Sequence, residues 1–485
     1  MSKIRIKKII PYLVAFFLVI LFLFLRFYKI SSSLLFFNDI GRDFLVLWNW
    51  QSSHKPPLLG PQTSAIPFNQ SAIYFYLLYP FYLITRASAY ATLIAAAVFY
   101  ISSFILGLYL LRKHQLWRNS LLLVFFLISI HPQYVIQNRF VWNPSFVSPP
   151  LLISFYAFLA LREKYLKKHY LDKTLSWVFT FALALALGFS YSVFPIFLAF
   201  LIIAFIVFKK HFFSIYFKTA IALFIVNLPT IVFELRHNFL LSDMLLTREK
   251  MPQPANYLMA KLKGLNLYIF NLPNLFYLLF FVLLITGIIY LMKKQKKLNF
   301  PLIFSLALFC LTLLITLISP IAIQAHYIFP LTVIFFLLIS FLLLNNRLLI
   351  IIFLFFTLIW LKPSRLTSYF APAYRSVNDS INCAAAFCQS HPQALFVSVQ
   401  SDHHPYHNAM EWQYLLVSNG CQLKDLVTAS NQAEYMAVVV DDSQYKHNQT
   451  AFNELTIFGS SEEIETYICQ DKLEIRVLKK VETIN

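Results

Sequence analysis

The protein has 485 residues, of which 59% are hydrophobic and 13% are charged, and its 52 Phe and 27 Tyr residues give it more apolar surface than one soluble core can bury. The formal net charge is +19, but residues 1–361 carry 31 Lys or Arg against seven acidic residues, whereas residues 362–485 carry nine against fourteen. These values exclude a single soluble domain and predict a polytopic membrane protein, in which the positive charge reflects topology and not binding to nucleic acid.

The chain opens with MSKIRIKKII, in which four basic residues precede an apolar stretch from about Ile9 to Phe27. This stretch resembles a signal sequence but has no small-residue cleavage site. We therefore expect an uncleaved first span with its amino terminus in the cytoplasm.

Further apolar runs are long enough to cross a bilayer. They lie near 88–111, 119–136, 145–161, 174–190, 192–208, 217–233, 268–292, 299–319 and 325–344, with a shorter run at 347–361. Basic segments separate many of them: 112–118, 162–170, 209–218, 293–297 and Arg347. If each basic segment is cytoplasmic, eleven spans obey the positive-inside rule.

The segment QSAIYFYLLYPFYLITR (70–86) does not fit as a further crossing, because it would place every later basic segment outside. We expect a juxtamembrane or re-entrant helix on the outer face, with tyrosines typical of an interface. The alternative is an ordinary span with a compensating error elsewhere. The predicted outer segments contain Pro and Asn and indicate a cavity at the outer interface; they are 28–87, 137–145, 233–257 and 319–327.

The first outer loop contains FFNDIGRDFLVLW (36–48). If this segment is helical, Asp39, Arg42 and Asp43 share one face. Four apolar residues are then expected to face lipid: Phe37, Phe44, Leu45 and Trp48. A carboxylate beside an arginine suits transfer from a lipid phosphate, because the carboxylate can act as general base and the arginine can stabilise the leaving phosphate. The alternative is an Asp39–Arg42 ion pair that only solvates the helix.

This pattern resembles the GT-C superfamily of polytopic glycosyltransferases, in the branch of protein O-mannosyltransferases and lipid A aminoarabinose transferases. NDIGRD (38–43) stands in the place of that family's Asp-Glu-x-Arg-Tyr signature. Other stretches resemble the family's first loop and its later outer segments: LLGPQTS (58–64), NQSAIYFYLLYP (69–80), RFVWNPSFVSPP (139–150), VFELRHNF (232–239) and AHYIFPL (325–331). The resemblance covers about residues 1–361 and implies a GT-C-like α-helical membrane fold.

The sequence departs from the family at two places. Ile40 stands where the signature has its second acidic residue, and a second carboxylate follows only at Asp43. Lys55, in HKPPLLG (54–60), comes too early to match the family's Lys-Pro-Pro. Because the missing acid helps to hold a divalent ion in some relatives, substrate class and metal dependence stay open. No cofactor is expected to be required.

The resemblance implies that Asp39 is the catalytic base, while Asp43 orients the acceptor or substitutes for Asp39. It implies that Arg42 faces the donor phosphate, with Arg139 and Arg236 as further phosphate partners. Five residues would contact the sugar or the acceptor: Tyr74, Asn143, Glu234, His237 and His326. Pairing of Glu234 with His237 and capping of a span by His326 are the structural alternatives.

These residues predict direct attack on the anomeric carbon of a polyprenyl-phosphate sugar, with inversion, at the outer face of the cytoplasmic membrane. The expected partners are this donor, the lipid bilayer and a glycan, lipid or protein acceptor, without nucleic acid. The alternative is a lipid or polysaccharide transporter or flippase. Such proteins usually show charged mid-membrane residues and an internal repeat, and neither feature is evident in this sequence.

Residues 362–485 are expected to form a small extracytoplasmic α/β domain after the transmembrane domain 1–361. Strand-like and helix-like stretches alternate there: 394–401, 435–442 and 472–481 as strands, 380–391 and 408–420 as helices. Four cysteines predict two disulfides in one of three connectivities: Cys383, Cys388, Cys421 and Cys469. SDHHPYH (401–407) has metal-ligand residue types but no ligand spacing, which favours a solvated loop.

Overall fold

A computed structural model of the protein describes most of the chain. The described residues are 3–63, 68–247, 257–271, 299–319, 325–345, 353, 357–358, 360–393, 395–401, 409–426, 434–441, 454–470 and 473–481. The chain forms two compact units. The first comprises Met1–Tyr28, Pro57–Phe81 and Thr92–Tyr369, and the second comprises Lys29–Pro56, Tyr82–Ala91 and Phe370–Asn485. The predicted domain boundary after residue 361 stays a prediction.

Helices dominate the described part of the chain. In chain order they are α1 (Lys3–Phe27), α2 (Ile30–Ser33), α3 (Asp39–Ser53), α4 (Ile73–Ile84), α5 (Ala91–Leu110), α6 (Gln115–Ile130), α7 (Pro132–Gln137), α8 (Ser148–Lys168), α9 (Lys173–Phe189), α10 (Phe194–Phe208), α11 (Phe212–Val226), α12 (Leu228–Arg236), α13 (Leu240–Thr247), α14 (Tyr257–Leu265), α15 (Phe300–Ile318), α16 (Phe329–Asn345), α17 (Pro363–Tyr369), α18 (Val377–Ser390), α19 (Met410–Ser418) and α20 (Glu454–Phe458). Short 3-10 turns cover Asn143–Phe146, Tyr191–Val193, Lys209–His211 and Ala325–Ile328, and a π turn covers Asn266–Phe270.

Five helical stretches in the described residues are long and apolar enough to cross a membrane: Ile9–Phe27, Ala91–Leu110, Asn143–Lys168, Tyr191–Val226 and Phe300–Ile318. Shorter apolar helices are Ile73–Ile84, Gln115–Ile130, Lys173–Phe189 and Phe329–Asn345. The predicted α-helical membrane fold is thereby confirmed, whereas the number of spans stays a prediction. The predicted spans 268–292 and 347–361 lie largely outside the described residues.

In the first unit, α1 packs on α6 through aromatic rings and one arginine. The Phe22 ring stacks on Tyr100 and Phe125, with centroid distances of 5.6 and 5.3 Å. One turn later Arg26 is fully buried, and its guanidinium donates to the carbonyl oxygens of Ile128 at 2.7 Å and Ser129 at 2.5 Å. The charge of Arg26 is thus compensated by carbonyls at the end of α6, which lack partners within their own helix.

The second unit contains a four-stranded sheet with the order β1-β2-β4-β3, whose strands are β1 (Leu395–Ser401), β2 (Tyr435–Asp441), β3 (Ser461–Gln470) and β4 (Leu473–Lys480). β1 runs parallel to β2, and β4 is antiparallel to β2 and β3. Disulfides join Cys383 to Cys469 and Cys388 to Cys421. This confirms the predicted α/β region and its two disulfides. Strand β3 was not predicted, because its sequence SEEIETYICQ has no apolar run and most of its residues are exposed.

One expectation for the first outer loop was wrong. Phe44 was expected to face lipid, but it is fully buried in the second unit. Its ring packs against Tyr82 at 5.6 Å and Tyr414 at 5.2 Å. Tyr414 lies in α19, far away in the chain, and this tertiary contact overrides the local pattern of the helix.

We predict that Arg26→Met destabilises the protein by about 2 kcal/mol, because the carbonyls of Ile128 and Ser129 lose a charged donor. Thermal unfolding of the detergent-purified protein measures the effect. Arg112→Met serves as the control, because Arg112 is exposed and should change the melting temperature little. Equal melting temperatures for Arg26→Met and the wild type would contradict a stabilising role for the two bonds.

Candidate active site

The predicted Asp39–Asp43 cluster lies in the first turn of α3, in the second unit. Asn38 precedes the helix with a positive φ of 34°, and its carbonyl accepts the Arg42 amide at 2.8 Å. The Asn38 side chain does not cap the helix. Instead, the Asn38 amide donates to Oε2 of Glu411 at 3.0 Å. The start of the helix is therefore held by a carboxylate from a distant part of the chain.

Arg42 binds both predicted carboxylates. Its Nη1 donates to Oδ1 of Asp39 at 2.7 Å. Its Nε and Nη2 both donate to Oδ1 of Asp43, at 3.0 and 2.7 Å. The predicted Asp39–Arg42 pair is thus present, and Asp43 adds a second anchor that fixes the plane of the guanidinium.

The two carboxylates differ in exposure. The side chain of Asp39 is 31% exposed and that of Arg42 is 21% exposed, whereas that of Asp43 is fully buried. A proton acceptor must reach the group that it deprotonates. Asp39 is therefore the accessible carboxylate of the cluster, and buried Asp43 is placed to orient Arg42.

Glu411 at the start of α19 is a site residue that the sequence analysis missed. It is 5% exposed. Burial raises the pKa of its carboxyl to about 7, and nearby Asp441 adds to the rise, while hydrogen bonds from backbone amides oppose it. The one available signal was its position as the lone acid in NAMEWQYLLVSNG (408–420). That signal gave no information on its partner.

In the first unit, three predicted site residues are buried and packed into the protein. Arg139 donates through Nη1 to the carbonyls of Leu25, Arg26 and Tyr28, at 3.2, 2.9 and 3.2 Å. The amide Nδ2 of Asn143 donates to the Phe189 carbonyl at 2.8 Å. The Tyr74 ring packs against Phe75 and Phe146. These three bonds show that Arg139 caps the carboxyl end of α1. Its role toward phosphate stays a prediction.

Glu234, Arg236 and His237 lie at the end of α12. The Glu234 carboxylate accepts the amides of Leu241 and Ser242, at 2.9 and 3.0 Å, and the Ser242 hydroxyl. Burial opposes ionisation of Glu234, but these bonds outweigh it and lower its pKa. The exposed His237 bonds to the Phe233 carbonyl through Nδ1 at 2.9 Å. Arg236 is exposed and has no hydrogen bond or ion pair to any described residue. The bonds from Leu241 and Ser242 to the Glu234 carboxylate fix the turn into α13.

Some predicted features lie outside what the structure describes. The backbone of His326 falls in a short 3-10 turn, but its side chain lies outside the described residues. Residues 402–408, with most of the SDHHPYH motif, also lie outside them. Among the side chains that the structure does describe, none form a group of three or more His, Cys, Asp or Glu that could hold a metal ion. Metal dependence therefore stays open.

Comparison with solved structures identifies the fold. The chain is similar to ArnT from Cupriavidus metallidurans bound to undecaprenyl phosphate, with a TM-score of 0.62, 9% sequence identity, and coverage of 96% of this chain and 98% of that one. It is also similar to the same protein in the apo state, with a TM-score of 0.58, 9% identity and coverage of 99% of both chains. No protein-family model and no curated protein matches the chain. The similarity shows that the chain shares the fold of these structures, which confirms the predicted fold class.

The raised pKa of Glu411 predicts a pH-dependent stability. The folded state holds the proton up to about pH 7, whereas an unfolded glutamic acid loses it near 4.5. The folded state thus binds more protons in this window, and the free energy of unfolding falls as pH rises through it, by up to about 3 kcal/mol. Charged or titratable groups near Glu411 include Asp441 and Tyr374, and Asp441 is itself paired with Arg375.

Melting temperatures of the wild type and Glu411→Gln between pH 4.5 and 7.5 measure this effect. Because glutamine does not titrate, the difference between the two pH profiles isolates Glu411 from every other titrating group. We expect the wild type to lose more stability than the variant as pH rises. Parallel profiles would show that Glu411 has an ordinary pKa in the folded protein.

Proposed function

We propose that the protein is a membrane glycosyltransferase that moves a sugar from a polyprenyl-phosphate-linked donor to an acceptor, with Asp39 as general base. The observation that carries this proposal is the arrangement at the start of α3. An accessible carboxylate lies beside an arginine that a second, buried carboxylate holds in place. This arrangement provides a proton acceptor and a phosphate partner within one turn of helix.

The fold likeness supports the donor class. A structural neighbour that matches nearly the whole chain was solved with undecaprenyl phosphate bound. Polyprenyl phosphate is the product that remains when a polyprenyl-phosphate sugar gives up its sugar. We infer that the present protein uses a donor of the same chemical class.

The reaction has four coupled changes. Asp39 takes the proton from a hydroxyl or amine of the acceptor, and the acceptor atom forms a bond to the anomeric carbon. The bond from the anomeric carbon to the phosphate oxygen breaks, and its electron pair stays on the phosphate. Attack opposite the departing oxygen inverts the configuration at the anomeric carbon. Arg42 stabilises the negative charge on the phosphate.

The two ion pairs of Arg42 prepare it for this task. Its Nη1, Nη2 and Nε each make one bond to Asp39 or Asp43, and a guanidinium has five N–H donors in a fixed plane. These bonds fix the plane of the guanidinium at the start of α3, where we propose that it faces the donor phosphate. Arg139 and Arg236 are proposed as further phosphate partners, and Tyr74, Asn143, Glu234, His237 and His326 as contacts to sugar or acceptor.

We place the reaction at the outer face of the cytoplasmic membrane, with the amino terminus in the cytoplasm. The positive-inside distribution of the basic segments supports this orientation. The first outer loop, which contains α3, and the disulfide-bonded residues near the carboxyl terminus would then both be extracytoplasmic. Disulfides persist in such oxidising compartments.

We predict that Asp39→Asn lowers kcat at least about 100-fold, because the variant cannot accept a proton from the acceptor. The measurement is release of polyprenyl phosphate by the purified protein in liposomes, supplied with a panel of short-chain polyprenyl-phosphate sugars and an acceptor pool. Asp243→Asn is the matched control, because Asp243 is an exposed carboxylate on α13, and we expect it to retain wild-type activity.

Each other outcome of this assay has a definite meaning. Equal activity in Asp39→Asn and the wild type would show that Asp39 is not the base and would move this role to Asp43 or elsewhere. Absence of release by the wild type from every donor would contradict the transferase and support a transporter.

We also predict that Arg42→Lys lowers kcat/KM for the donor about 10- to 100-fold, a loss of about 1.4 to 3 kcal/mol. Lysine keeps the positive charge but lacks the planar fork that bonds two carboxylates and a phosphate together. Steady-state kinetics with the active donor measure the loss, and Arg112→Lys is the control for the substitution type. Wild-type kinetics in Arg42→Lys would show that charge alone is sufficient.

A further inference from the structure

Within the second unit, Glu411 contacts the backbone immediately before the proposed base. Its Oε2 accepts the Asn38 amide at 3.0 Å, and Asn38 precedes Asp39 in the chain. Asn38 has a positive φ of 34°, a conformation that is unfavourable for a residue with a side chain. The hydrogen bond from this amide to the buried Glu411 side chain therefore stabilises a turn that would otherwise relax.

The same two segments approach each other closely at Gly41. A Cβ atom built on Gly41 would lie 2.3 Å from Cα, 2.4 Å from N and 2.7 Å from Cβ of Glu411. Because two of these three atoms are backbone, a rotamer change cannot relieve the overlap. Only glycine permits the approach that brings the Glu411 carboxylate to the Asn38 amide.

A second contact between the two segments involves Tyr414, which lies one turn after Glu411 in α19. The Tyr414 ring packs against Phe36 at 5.8 Å and Phe44 at 5.2 Å, which precede and follow the charged cluster in the sequence. Its hydroxyl donates to the Ala87 carbonyl at 3.1 Å. The aromatic contact holds α19 against α3. With the helices held together in this way, the Glu411–Asn38 bond positions the first turn of α3.

We propose that Glu411 is a positioning residue of the transferase, and that α19 fixes the first turn of α3 through the Glu411–Asn38 hydrogen bond and the Gly41 contact. This inference rests on the proposed function. Glu411 itself is 5% exposed and bonded to a backbone amide. It therefore acts on the reaction through the position of Asp39 and not by contact with the substrate.

Loss of the Glu411 bond should affect Asp39 and Arg42 differently. Arg42 is anchored by buried Asp43, an interaction that does not involve Glu411. Loss of the Glu411 bond should therefore displace the backbone at Asp39 while Arg42 keeps its anchor. Since a displacement of about 1 Å at a reacting group can cost about 100-fold in rate, the expected loss is in kcat and not in donor binding.

Three substitutions of Glu411 show whether its side-chain length or its negative charge matters for the reaction. Glu411→Gln keeps an acceptor oxygen at the same reach, so its kcat should stay within about threefold of the wild type. Glu411→Asp keeps the charge but is one methylene shorter, and Glu411→Ala removes the acceptor. We expect both to lower kcat about 10- to 100-fold, with the donor KM changed less than about threefold.

A readout that does not depend on activity is amide hydrogen exchange in the peptide around residues 36–44. The Asn38 amide should exchange about tenfold faster in Glu411→Ala and Glu411→Asp than in the wild type or Glu411→Gln. Exchange in β1 serves as the control for folding of the second unit and should be unchanged in all variants.

The two readouts separate failure of this inference from failure of the proposed function. An active wild type with unchanged kcat and exchange in Glu411→Ala would overturn the positioning role and leave the transferase standing. A wild type without transfer, whose Asn38 exchange still depends on Glu411, would refute the transferase and with it the positioning role, while the structural contact stands. Loss of kcat in Glu411→Gln with retained activity in Glu411→Asp would show that charge acts, and would also overturn it.

Gly41→Ala tests the same contact from the other helix. Alanine in place of a helical glycine usually favours the helix by about 0.5 to 1 kcal/mol. Here we expect faster Asn38 exchange and a kcat lowered about 10- to 100-fold, as in Glu411→Ala. Wild-type exchange and kcat in Gly41→Ala would show that the two helices do not need this approach.

Discussion

A protein that crosses a bilayer must satisfy its backbone polar groups from within, because lipid offers them no partners. Helices meet this constraint along their length but leave carbonyls unpaired at their carboxyl ends. In the first unit, buried basic side chains fill this need. Arg26 binds carbonyls at the end of α6, Arg139 binds those at the end of α1, and Lys261 binds Leu317 and Ser319 at the end of α15. Each cation also lies at the negative end of a helix dipole.

Because basic side chains cap helices in this protein, the position of an arginine in the sequence does not reveal its role. An arginine near a predicted outer segment can bind a substrate phosphate or cap a helix, and its sequence position is the same in both cases. Arg139 makes three capping bonds, whereas Arg236 is exposed without a described partner. Arg42 is different again, since it is partly exposed and shared between two carboxylates.

The second unit places its charges by the same physical rule, that a buried ionisable group needs a partner. Asp43 is paired with Arg42, and Asp441 is paired with Arg375 at 2.5 Å. Glu411 is bonded to a backbone amide and has a raised pKa. Burial raises the pKa of Glu411 by more than its backbone hydrogen bonds lower it, and the charge of Asp441 adds to the rise. Glu411 therefore keeps its proton to a higher pH in the folded protein than in the unfolded chain.

Several features could be predicted because they follow from local pattern or from spacing. The apolar runs predicted most of the described membrane helices, and the i, i+3 spacing predicted the Asp39–Arg42 pair. The alternation of strand-like and helix-like stretches predicted β1, β2 and β4. Exposed β3 lacked this pattern, because polar residues on a sheet edge carry little periodic signal. Phe44 was misassigned because a helix pattern shows which residues share a face and not what covers that face.

The sequence by itself determined the membrane class, the helical fold, the α/β region, and the carboxylate–arginine cluster, because each depends on composition or on residues a few positions apart. Only the tertiary structure decided which carboxylate is buried, how the four cysteines pair, and that Glu411 bonds the Asn38 amide. These features join residues tens to hundreds of positions apart. Spacing along the chain carries no information on such contacts, since they depend on how whole helices pack.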